Sequence, residues 1–220
     1  MTRTVDKKVY IIQHALELFA KNGLADTSVD RIASYAKVSK KTIYFHFRSK
    51  ETLIKEAFSW KMSGVSKAVD EVIEMDLPAI DKMGRYLYVI CDRISDISIK
   101  AFYDLSQLRS LSKNAANEYM KRAVFIRFNK LLEQVKAEGY FKPGTEIGSS
   151  LMTYWNMLSP YLFMDLKKDV PNELKNAISL SDILRKQLIS LYKGFLTQDG
   201  IEKLDIIIND VNLSQHADLN

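Results

Sequence analysis

Thr27-Ser28-Val29-Asp30-Arg31-Ile32-Ala33-Ser34-Tyr35-Ala36-Lys37-Val38-Ser39-Lys40-Lys41-Thr42-Ile43-Tyr44-Phe45-His46-Phe47 is the stretch that decides the fold. Thr27, with Asp30 three residues on, matches a capping box that opens a short helix over about 28–35. Ala36-Lys37-Val38 makes a tight connection, and Ser39 caps a second short helix through about Phe45. Ile32, Ala33, Val38, Ile43 and Phe47 supply apolar anchors for the inner side. Ser39, Lys40, Lys41, Thr42 and Tyr44 make the outer face polar and basic. Two short capped helices joined by a tight turn, apolar inside and basic outside, form a helix-turn-helix pattern. In that arrangement the first helix braces a DNA duplex and the second enters its major groove. Lysine donors suit guanine O6 and N7 or phosphates, and hydroxyls suit phosphates or base edges.

Upstream, Val5, Val9, Ile12, Leu16 and Phe19 form an apolar stripe on a helix that Asn22-Gly23 ends. Downstream, Ser49-Lys50-Glu51 caps a helix running past Trp60 towards Met75. Lys50 there adds its charge to exposed backbone N–H groups, which is a phosphate seat. The charge distribution points the same way. Residues 1–62 hold 12 Lys and Arg against 6 Asp and Glu, a net of +6, while the remainder nets −1. The whole cationic excess therefore sits in the N-terminal quarter, which implies a polyanion partner for that part alone.

Thr27 to Ala33, Ala36 to Phe47 and Ser49-Lys50-Glu51-Thr52-Leu53 together resemble the DNA-binding signature of the TetR family, over roughly residues 8–56. The resemblance implies a homodimeric transcriptional regulator, usually a repressor, that binds a palindromic double-stranded operator and is released by a small effector. It implies DNA contacts from Thr27, Ser39, Lys40, Lys41, Thr42, Tyr44, Phe45, His46 and Lys50. Lys37 and Lys41 stand where the family pattern often has glycine, and Phe45 where tyrosine is common. The alternative is a DNA-bound architectural or protein-interaction factor of the same fold, without an effector.

Beyond Pro78, helical patterning runs to about Arg93, and 95–113 reads as one or two shorter helices. Residues 114–138 form a long helix closed by Gly139. Residues 140–144 form a loop, with Thr145 as a cap for the next helix. Ile147, Leu151, Tyr154, Leu158 and Tyr161 make one stripe, and Leu174, Ile178, Ser181, Leu184, Leu188, Leu191 and Phe195 another. Helices near 147–165 and 172–196 are expected to pair with their symmetry mates, as in this family. A last short helix is expected near 199–209, followed by a disordered tail over 213–220. The chain is thus expected to be all-α: a helix-turn-helix domain over 1–48, a linking helix over about 49–75, and a helical effector-binding and dimerisation domain over 76–212. Tyr86, Tyr88, Phe102, Tyr103, Tyr119, Phe125, Phe128, Met152, Tyr154, Trp155, Met157, Tyr161, Phe163 and Met164 suit an apolar core. They also suit a cavity for a hydrophobic or aromatic effector.

Of 220 residues, 47% are hydrophobic and 27% charged, ordinary for a globular protein. Eight Gly and four Pro leave few breaks for a many-stranded fold. One cysteine, Cys91, excludes an internal disulfide and a cysteine-based zinc site, and reads as buried filling. No apolar run approaches the roughly 18 residues of a membrane span, and no signal-peptide core is present, so a cytoplasmic protein is expected. No phosphate loop, nucleophile elbow or metalloprotease motif occurs, and His14, His46 and His216 share no ligand spacing. No catalytic residue, metal or cofactor is expected.

Overall fold

The computed structural model describes residues 6–95, 126–149 and 180–217. Its helices are α1 (Lys7–Asn22), α2 (Val29–Tyr35), α3 (Lys40–His46), α4 (Lys50–Glu74), α5 (Ala79–Ser95), α6 (Arg127–Ala137), α7 (Leu180–Phe195) and α8 (Gln198–Ala217). Among the described residues the fold is all-α. The single extended contact among the described residues is an isolated antiparallel bridge between Phe141 and Leu196. The helices expected over 95–113, the first half of 114–138, the stripe from Leu151 to Tyr161 and the stretch 172–179 lie outside the described residues. So do Val5 and the aromatic and methionine side chains from Phe102 to Phe125 and from Met152 to Met164.

Two apolar cores share one rod. Ile11, Ile12, Ala15, Leu18 and Phe19 of α1 pack with Ile32 and Ala33 of α2, Ile43 and Phe47 around α3, and Leu53, Ile54 and Ala57 of α4. Further along α4, Met62, Val65, Val69 and Val72 join a second core built around α5. That core takes Ile80, Met83, Tyr86, Leu87 and Ile90 from α5, Phe128, Leu131, Leu132 and Val135 from α6, and Leu188, Tyr192 and Leu204 from α7 and α8. With 25 residues, α4 is about 37 Å long, and its two halves belong to different cores.

In α1 the inner face differs from the expected stripe. Val9 and Leu16 are half-buried, whereas Ile11, Ala15 and Leu18 are fully inside. The helix packs against α2 and α4 together, so its apolar arc is wider than a single stripe.

Tertiary contacts replace the missing local caps of the second core. Pro78 precedes α5 and offers no capping side chain, so the Glu138 carboxylate accepts from the N–H groups of Ala79 (2.7 Å) and Ile80 (3.2 Å). Arg127 of α6 donates to Ser66 Oγ (2.8 Å) and pairs with Asp70 (3.2 Å), tying α6 to α4. Tyr86 stacks on Phe128 with centroids 4.3 Å apart, and Phe128 meets Tyr192 edge-on at 5.4 Å. The last helix is longer than expected: α8 runs to Ala217, through most of the stretch read as a tail.

Candidate nucleic-acid interface

The caps decide where α2, α3 and α4 begin. Ser39, in extended conformation, accepts from the Thr42 N–H at 3.0 Å and opens α3. Ser49 accepts from the Thr52 N–H at 3.1 Å and opens α4. At α2 the cap falls one residue later than the capping-box reading. Ser28, with φ −81° and ψ 157°, accepts from the Arg31 N–H at 3.1 Å.

Thr27 is corrected as the cap of α2, which is Ser28. Its side chain has no exposed surface, and its hydroxyl donates to the carbonyls of Gly23 (2.7 Å) and Leu18 (3.3 Å). It fastens the end of α1 to the start of α2, with its side chain turned inward.

The α2–α3 turn is a Schellman motif. The Lys37 N–H donates to Ser34 O (3.2 Å) and the Val38 N–H to Ala33 O (2.9 Å). This geometry puts Lys37 at φ +50°, the one non-glycine residue with positive φ among the described residues. The family pattern's glycine at this position thus has a backbone reason, and here a lysine occupies the left-handed conformation.

On α3, Ile43 and Phe47 are buried to 1% exposure, and they pin the helix to the core. Lys40, Lys41, Tyr44 and Phe45 are exposed, while Thr42 and His46 are half-buried. Ser39 is exposed, with its hydroxyl 2.8 Å from that of Thr42, so both hydroxyls belong to the α3 cap. His46 lies between Phe45 and Phe47, with ring centroids at 5.1 and 6.2 Å. Lys50 extends back from α4 and donates to Ala25 O at 3.3 Å, close to the end of α1.

Lys40 has a partner that the sequence reading passed over. Its ammonium lies 2.9 Å from each carboxylate oxygen of Asp30 on α2. This hydrogen-bonded ion pair holds the Lys40 pKa above the ordinary lysine value. Asp30 acts as a strut between helices and not as the second half of a capping box. Lys37 and Arg48, in the turns flanking α3, are also exposed and add cationic surface.

The other chemistry-bearing residues are structural. His14 Nδ1 lies 2.8 Å from Tyr10 O, with its ring between Tyr10 and Tyr35. Cys91 is 1% exposed, and burial pushes its thiol up to about 12 against a weaker pull downward from Arg185. Among the described residues no cluster of His, Cys, Asp or Glu is placed to hold a metal ion, and no helix is long and apolar enough to cross a membrane.

Residues 11–57 match the model of the bacterial regulatory proteins, tetR family. The uncharacterized HTH-type transcriptional regulator YhgD of Bacillus subtilis (strain 168) is 27% identical over 142 residues, which cover 64% of this chain and 74% of its own. The fatty acid metabolism regulator protein of the same organism is 26% identical over 144 residues, again 64% and 74% of the two chains. Among solved structures, a TetR-family transcriptional regulator from Marinobacter aquaeolei VT8 superposes with a TM-score of 0.67. That match covers 94% of this chain and 98% of the other at 22% identity, a likeness of fold.

Proposed function

Because the chain belongs to the tetR family of bacterial regulatory proteins and is a transcriptional regulator with a DNA-binding helix-turn-helix, we propose that it is a dimeric repressor. It binds a palindromic operator and is released by a small hydrophobic or aromatic effector. The observation that carries the reading is α3 itself, pinned by buried Ile43 and Phe47 while Lys41, Tyr44 and Phe45 stand exposed on its outer side. Ser39, Lys40, Thr42, His46 and Lys50 complete the DNA-facing set.

One short reading helix discriminates weakly, and two heads about 34–36 Å apart, or a multiple of that, read a palindrome. The stretches 147–165 and 172–196, the second of which contains α7, supply the partner surface for a second copy. Since α4 belongs to both cores, a ligand-induced shift around α5 changes the spacing of the two heads, with a coupling free energy of about 1–3 kcal/mol. A relative concerned with fatty acid metabolism supports an apolar effector. The aromatic and methionine content of 80–165 supports it too. The cytoplasm is where such a regulator meets its operator.

The test is selection of bound sequences from random duplexes at several salt concentrations. Enrichment of a palindrome, with affinity falling steeply as salt rises, is the expected result. Salt-sensitive binding without enrichment assigns an architectural role instead. In the double variant Lys41→Ala/Tyr44→Ala, operator affinity is lost while helix content stays.

A further inference from the structure

Phe45 is 84% exposed, the most exposed large apolar side chain among the described residues. It stands beside Tyr44 and one helical turn on from Lys41, so the three share a strip of α3, a helix without a carboxylate. Its ring meets His46 edge-on with centroids 5.1 Å apart, and the rest of its surface is open. A phenyl ring exchanges no hydrogen bonds with base edges or phosphates, so it lacks the means by which lysine, serine and threonine bind DNA. The apolar group that a base edge offers in the major groove is the 5-methyl of thymine.

We propose that Phe45 is a specificity-determining residue that packs against a thymine 5-methyl group in each operator half-site, within two base pairs of the group read by Lys41. The spacing follows from geometry, because four residues of helix advance about 6 Å while bases step by about 3.4 Å. The cationic N-terminal region brings the helix to the duplex, and the ring then selects a methylated edge. This inference rests on the operator reading above.

The experiment takes the enriched operator and replaces each thymine singly by uracil, which removes the 5-methyl group alone. At one thymine per half-site the wild-type protein is expected to bind about fourfold more weakly, the effect of one lost methyl contact. Phe45→Ala is expected to bind the thymine and uracil duplexes equally, and Phe45→Leu to keep part of the preference. The exposed ring carries no core packing, so an unchanged unfolding midpoint in both variants serves as the folding control. If no uracil replacement weakens wild-type binding, or if Phe45→Ala keeps the penalty, the thymine contact is overturned and the operator reading stands. A protein that enriches no sequence overturns the operator reading and the thymine contact with it.

Discussion

Lys40 and Asp30 are joined across the helix-turn-helix, with the ammonium 2.9 Å from both carboxylate oxygens. A lysine at the start of a reading helix is thereby turned back onto α2, while its neighbour Lys41 faces outward. Sequence position alone makes the two equivalent. The geometry separates them: Lys40 is tied to Asp30 across the turn, and Lys41 stands exposed without that strut.

Asp30→Asn removes that strut. The pair is on the surface, where screening leaves little net stabilisation, so the unfolding midpoint is expected to stay nearly constant. Released Lys40 then gains a phosphate in each protomer, and log K against log salt steepens by about 0.9 per protomer, about 1.8 for the dimer. Salt titration of operator binding reads this directly. An unchanged slope shows that Lys40 already spends its charge on the duplex in the wild-type protein.

Lys37→Gly is expected to stabilise the protein. At φ +50° a side chain crowds its own backbone, at a cost of about 1–2 kcal/mol. Glycine removes that strain but gives back about 0.5–1 kcal/mol through its freer unfolded chain. The net gain is about 0.5–1 kcal/mol, measured from the urea midpoint. Lys37→Val, β-branched in the same conformation, goes the other way. If both variants lose stability equally, backbone strain is not what Lys37 contributes to the turn.

Much of the helix-turn-helix was legible from the sequence because it is written in local chemistry. Ser39 and Ser49 cap where a polar residue precedes an apolar-periodic run, and Ile43 and Phe47 lie inward because no other placement buries both. The misreadings have a common cause, which is geometry that only the folded backbone decides. Thr27 and Ser28 are adjacent hydroxyls that both fit a cap, and the chain direction buries the first and exposes the second. Asp30 satisfies the spacing of a capping box, but its partner lies ten residues away across a turn. Glu138 caps α5 from a distance of 59 residues, which no window along the chain reveals. The apolar run Ile206-Ile207-Ile208 is followed by Asn209-Asp210, where the expected helix ends, yet α8 continues to Ala217. The structure exposes Ile206 and buries Ile207, so the run carries only a narrow inward stripe.

Cys91 gives the fold a weakness at high pH. The buried thiol is held neutral up to about 12, whereas in the unfolded chain it ionises near its ordinary value of 9.0. Its folded pKa is raised, so its contribution is fully present below pH 9 and is lost as pH rises towards 12. Within that window stability falls by up to about 1.4 kcal/mol per pH unit from this group. Cys91→Ala, compared with wild type by denaturant unfolding between pH 8 and 11, is expected to show a flatter decline from a lower starting stability. Parallel declines would mean that the thiol is not shielded in the folded state. The same burial predicts that alkylating reagents modify the folded protein far more slowly than the unfolded chain at pH 8.

Gly84 sets how closely α5 and α8 approach. A Cβ built on it would stand 2.7 Å from Ile207 Cγ2, 3.2 Å from Ile207 Cβ and 3.3 Å from a methyl of Leu204. Ile207 is β-branched and stiff at χ1, and its Cβ as well as its Cγ2 is in the way, so the overlap is not relieved by moving a flexible tip. Gly84→Ala therefore has two opposed effects. Alanine favours a helix interior by about 1 kcal/mol over glycine, while overpacking a close-packed interface costs about 1–3 kcal/mol. The overlap lies well inside contact distance, so the second effect wins and a net loss of up to about 2 kcal/mol is expected from the urea midpoint. The double variant Gly84→Ala/Ile207→Ala provides the decisive comparison. If the clash is the cause, the pair loses less than the sum of the single variants, with a coupling of at least about 0.5 kcal/mol. Strict additivity would mean that α8 shifts to accept the methyl group. Because α5 also packs against α4, the rod shared by both cores, the same pair of variants probes the path to the reading head. If Gly84→Ala displaces α5 towards α4, operator affinity changes in the single variant and returns in the double variant, although neither residue lies near α3.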